Sequence, residues 1–132
     1  MSENVTFVDR VFDDAYALMI EARNYIAYAQ PAEPAPSEPL LRLQISYETM
    51  RVTARLVCAM AWLLTEKAVR NGEISREQAM EGLYDPQSGG SCLDPSGPEN
   101  ESLPRGLRSL LDRSYRLYLR VDRLRSRASA VG

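Results

Sequence analysis

The sequence predicts an all-α protein: an antiparallel three-helix bundle with a long central helix and a short extra helix after it. Three observations predict it. Apolar residues recur at alternating spacings of three and four in three long stretches, clusters of turn-forming residues separate those stretches, and no segment shows the strict alternation of a half-buried strand. At 132 residues, 45% apolar and 26% charged, the chain suits a single helical-bundle domain over residues 1–132 with a core of its own.

The first pattern opens at Thr6, with Asp9 three residues on, as an N-cap would. Val8, Phe12, Ala15, Met19, Ala22, Ile26 and Ala29 then share one face. Pro31, Pro34, Pro36 and Pro39 break the pattern and make a stiff link, so this helix is placed near Thr6 to Ala29.

The second pattern starts at Ser37 with Pro39 in the first turn and runs to Asn71, where Gly72 can supply a left-handed cap. Leu40, Leu43, Tyr47, Met50, Ala54, Val57, Ala61, Leu64 and Ala68 form its longest stripe, which is read as core. A second stripe, Ile45, Val52, Leu56, Ala59 and Leu63, lies well around the helix. It serves either a second neighbour within the chain or a homodimer seam. Leu56 and Val57 should therefore be buried on different sides. Glu48, Arg51 and Arg55 fall on the more polar side, as a solvated ion pair or a partner-docking face.

Ser75 and Gln78 have the spacing of a capping box and open the short extra helix. Residues 85–102 are rich in Gly, Pro, Ser and acids and are expected to form a mobile loop. The last helix is placed from Leu103, with Pro104 in its first turn, to about Arg125. Leu107, Leu110, Leu117, Val121 and Leu124 make its core face, and Ser114 is the one break in that stripe. Arg113, Arg116, Arg120, Arg123 and Arg127 run along an adjacent face.

Charge is unevenly spread. Residues 104–132 carry eight Arg against two Asp, a net of +6, while the remainder carries eight basic and sixteen acidic residues, a net of −8. The arginine stripe has three readings: pairing with the acids of the first helix, docking of an acidic protein, or contact with nucleic acid. Pairing within the chain is the default. Nucleic acid is the weakest, because the chain is acidic overall and lacks a basic patch interleaved with aromatics.

Several function classes fall on composition. Histidine is absent, which removes the commonest general base and transition-metal ligand. Asp13 and Asp14 are adjacent and point to different sides of a helix, and Gly89-Gly90 lacks the Lys-Ser/Thr of a phosphate loop. Cys58 and Cys92 lack zinc or disulfide-scaffold spacing and are read as reduced thiols. No enzyme activity, cofactor, metal or membrane span is expected. The acidic N-terminus is unlike a signal peptide, so the expected location is cytoplasmic.

Residues 45–75, ISYETMRVTARLVCAMAWLLTEKAVRNGEIS, resemble the central helix of the alphaproteobacterial RcdA-like family, regulators of the degradation of the cell-cycle regulator CtrA. The residues carrying the resemblance are Tyr47, Glu48, Arg51, Thr53, Arg55, Leu56, Ala61, Trp62, Leu63, Leu64, Ala68, Val69, Gly72 and Glu73. The segment LPRGLRSLLDRSYRLYLRVDRL, residues 103–124, resembles the last helix of the same family. The resemblance implies a dimeric three-helix bundle that acts as an accessory factor bringing substrates to the ClpXP protease. Its expected partners are the protease unfoldase, co-adaptors or substrate proteins. Candidate partner-binding residues are Glu48, Arg51, Arg55, Arg113, Arg116, Arg120 and Arg123, with Ile45, Val52, Leu56, Ala59 and Leu63 as the candidate dimer seam.

Overall fold

The computed structural model describes residues 3–82 and 92–131, and among them every regular element is helical. Helix α1 spans Glu3–Asn24 and continues through a π-helical segment, Tyr25–Ala29, into one last turn, Gln30–Ala32. Helix α2 spans Pro39–Arg70, α3 Arg76–Gly82 and α4 Arg105–Val131. Three of these are long, as the periodicity requires.

The ends follow local chemistry. Pro39 is the first residue of α2, where its missing N–H costs nothing, and Glu38 is the N-cap. Gly72 follows the helix with φ +77°, the conformation only glycine adopts freely. The capping box forms as the spacing predicts, with Gln78 N donating to Ser75 Oγ at 3.0 Å and Ser75 N donating to Gln78 Oε1 at 2.8 Å. Thr6 is not the cap of α1, which starts at Glu3.

Helix α1 runs antiparallel to α2, with Asp9 opposite Lys67 and Gln30 opposite Thr49. It also runs antiparallel to α4, with Asp14 opposite Arg120 and Glu21 opposite Arg113. Helices α2 and α4 point the same way, since Arg55 meets Leu111 and Ser114 while Trp62 lies beside Val121 and Arg125. Residues 92–97 lie beside Arg51 and Arg55, midway along α2.

The main core takes Val8, Val11, Ala15, Leu18 and Ala22 from α1, and Leu107, Leu110, Leu111, Leu117 and Val121 from α4. From α2 it takes Val52, Leu56, Ala59, Met60 and Leu63. Cys58, Cys92 and Tyr118 form a smaller buried cluster beside it. The inner face of α2 is thus the shorter stripe. Val57 is 49% exposed, so it and Leu56 are not both buried, and Leu40 and Met50 of the longer stripe are 72% and 71% exposed. One side of α2 meets both neighbours, and among the described residues no helix packs on the other side.

Of the expected mobile loop 85–102, residues 85–91 lie outside the described residues. From Cys92 onward the segment is held against α2 and α4.

Candidate interaction surface

Glu48, Arg51 and Arg55 do not form a solvated docking face; all three are buried. Arg55, 1% exposed, spends its guanidinium on backbone: Nε donates to Cys92 O at 3.0 Å, Nη2 to Asp94 O at 2.6 Å and Nη1 to Leu111 O at 2.8 Å. Nη1 also reaches Ser114 Oγ at 3.2 Å. This explains the break in the α4 stripe, because a leucine at position 114 would offer the buried cation nothing. Burial, then the neighbouring Arg51 cation, lower the Arg55 pKa.

Arg51 sits one turn earlier on the same side. It pairs with Glu48 at 2.7 Å and with Asp94 Oδ2 at 3.2 Å, and donates to Asp94 O at 3.1 Å and Ser96 O at 2.6 Å. Gly97 lies against this group with φ +123°, and a Cβ there would stand 2.8 Å from Leu111 Cδ1 and 3.1 Å from Arg51 Nη2. The two arginines therefore act as a clamp that fixes residues 92–97 to α2. Glu66, also buried, does similar work at the far end: it accepts from Arg76 at 2.6 and 3.0 Å and pairs with Arg70 at 3.3 Å. The hydrogen bonds from Arg76 hold its carboxyl below the usual range.

The candidate dimer seam is likewise internal. Val52, Leu56, Ala59 and Leu63 are buried in the core, and Ile45 packs against it half-buried. Their places are filled by α1 and α4 of the same chain.

Along α4, Arg113 grips Glu21 through two hydrogen bonds of 2.7 Å, which lower the Glu21 pKa and raise that of Arg113. Arg120 reaches Asp14 at 3.0 Å and Arg116 reaches Asp112 at 3.2 Å. Arg123 is exposed. Three of the five stripe arginines thus pair with acids of α1 or α4, namely Glu21, Asp14 and Asp112.

What remains open is the outer face of α2. Leu40, Leu43, Tyr47, Met50, Val57 and Leu64 are exposed along it, about 36 Å at 1.5 Å per residue. None of the exposed residues from Leu43 to Leu64 is charged. Midway, a groove of about 470 Å³ is lined by Ile26 of the π-helical segment with Met50, Thr53, Ala54 and Val57. A monomer seldom leaves so long an apolar stripe to water unless something binds there. The signal was present in the sequence as the most regular stripe of all, and its regularity is what suggested a core.

Among the described residues no group of three or more His, Cys, Asp or Glu could hold a metal ion, and no helix is long and apolar enough to cross a membrane.

The class these features define is an all-helical bundle whose central helix leaves an apolar face exposed. Residues 2–131 match the family described as protein of unknown function (DUF1465), and the chain belongs to that family. It is similar to RcdA from Caulobacter crescentus CB15, with 34% identity over 96% of this chain and 92% of that chain and a TM-score of 0.74. The RcdA-like resemblance read from residues 45–75 and 103–124 extends in this way over nearly the whole chain. No curated protein matches it.

Proposed function

We propose that this protein is a non-enzymatic, cytoplasmic adaptor in regulated, cell-cycle proteolysis, helping to deliver substrates to the ClpXP protease. The observation that carries a binding role is the apolar face of α2, exposed from Leu40 to Leu64 and free of exposed charge from Leu43 onward. The likeness to RcdA supports the proteolytic setting. In this reading the outer face of α2 meets protein, as a homodimer contact or with the unfoldase, a co-adaptor or a substrate. The buried charges Glu48, Arg51, Arg55 and Glu66 shape the scaffold and touch no partner.

A second reading rests on Arg116 and Arg123, whose side chains reach solvent on α4. They could extend the contact to an acidic partner or to nucleic acid, and such binding would weaken steeply with salt. Co-purification of the tagged protein from its host, with bound chains identified by mass, separates the two. Recovery of the protease unfoldase at both low and high salt is the expected result. Recovery of nucleic acid alone, lost as salt rises, would replace the adaptor reading with the second one.

A further inference from the structure

At the end of the bundle where α1 runs into the proline link and α4 begins, a groove of about 670 Å³ opens between the two, a size that suits a small ligand or a short peptide. Pro31, Pro34 and Pro36 of the link line one wall, Leu103 and Pro104 the other, and Ile45 of α2 adds a further apolar side chain. The groove shares none of the large exposed residues of the outer face of α2. What binds it is therefore a separate question from what that face meets.

The walls are held in place by the chain itself. Arg42 Nη1 donates to Pro36 O at 2.8 Å and to Ser37 O at 3.2 Å, which ties the link to α2. Gln30 Nε2 donates to Thr49 Oγ1 at 3.0 Å and does the same one step earlier. On the other side the Tyr25 ring lies against Gly106 while its hydroxyl donates to Glu33 at 3.0 Å. A groove fixed in this way by prolines and hydrogen bonds loses little entropy when it is filled.

Its charge is one-sided. Glu33 is the single acid among the lining residues, and its Oε1 already accepts from Tyr25. Arg42 and Arg105 also line the groove, both are exposed, and among the described residues neither forms an ion pair. The prolines contribute ring faces and carbonyl acceptors but no N–H. Flat apolar faces flanked by two guanidinium forks are what the groove presents.

We infer that this groove binds an extended acidic peptide segment of another protein, with an aromatic side chain seated on the proline rings and flanking carboxylates on Arg42 and Arg105. Contact between proline and aromatic rings is a recurrent mode of peptide recognition. Guanidinium planes attract ring faces and take carboxylates bidentately. Nucleic acid fits less well, because the lining residues include two cations and no aromatic ring on which a base would stack.

NMR titration of the isotope-labelled full chain with the acetylated, amidated peptide Glu-Asp-Trp-Asp-Glu tests this. Saturable shifts are expected at the amides of Glu33, Ala35, Arg42, Arg105 and Gly106 and not at those of Tyr47, Met50 or Val57. Replacing the peptide's tryptophan by serine, or its acids by lysines, should weaken binding by about tenfold or more. Arg105→Glu should weaken it as much with no loss of melting temperature, while Met50→Arg should bind the peptide as wild type does. Absence of shifts around the groove at millimolar peptide would overturn the inference, as would equal binding by Arg105→Glu. Shifts at the same amides with oligothymidylate and none with the peptide would reassign the groove to nucleic acid.

Discussion

Arg55 shows how a charge that looks like surface chemistry can be structural. Its guanidinium makes four hydrogen bonds, to three backbone carbonyls and the Ser114 hydroxyl, and the planar fork makes this set unavailable to an ammonium. Arg55→Lys should therefore cost nearly as much as Arg55→Ala, about 3 kcal/mol, read by denaturant unfolding. A lysine that restores full stability would contradict the clamp. Glu66 gives a pH signature. Its folded pKa is depressed below the ordinary 4.5, first by the Arg76 hydrogen bonds, so its contribution is present above 4.5 and is lost as pH falls through the folded value. Glu66→Gln should cost about 2 kcal/mol at pH 7. The gap to wild type should close on acidification below pH 4.5, and a gap that stays constant would reject the assignment.

At the scale of elements, the sequence made the three long helices, the Gly72 stop and the Ser75–Gln78 cap readable, because each is decided by residues within a few positions of one another. It misplaced the inner face of α2. Two stripes were visible, and the longer one was read as core, yet the inner face carries the second, Ile45, Val52, Leu56, Ala59 and Leu63, together with the buried charges Glu48, Arg55 and Glu66. Those charges are neutralised or hydrogen-bonded by groups as distant in sequence as Cys92, Leu111 and Ser114, which local periodicity cannot register. Ser114 was the one legible hint, as a polar break in an otherwise apolar stripe. The packing of the helix ends yields a separate prediction. Gly106, near the start of α4, lies under the Tyr25 ring, and a Cβ there would stand 2.5 Å from Tyr25 Cε1. Tyr25 is also tied by its hydroxyl to Glu33 at 3.0 Å, and burial followed by that contact pushes its pKa up to about 12. Gly106→Ala should therefore lower stability by about 1–3 kcal/mol despite its better helix propensity, measurable as a lower melting temperature.

For the whole molecule, stability and recognition occupy different surfaces. A clamp midway along α2 holds residues 92–97, Glu66 near its C-terminal end holds Arg76, ion pairs of modest worth tie α4 to α1, and the outer face of α2 remains for another protein. Reversing Arg116, Arg120 and Arg123 to Glu should thus lower stability by only about 1 kcal/mol, because these charges are largely solvated. The most direct measurement of the central claim is recovery of the protease unfoldase per folded molecule by the tagged wild type, Met50→Arg and the triple arginine reversal. The account predicts that Met50→Arg keeps the wild-type melting temperature and loses the unfoldase while the triple reversal retains it. Equal recovery by wild type and Met50→Arg, with loss only in the triple reversal, would contradict the account and move the binding surface to α4.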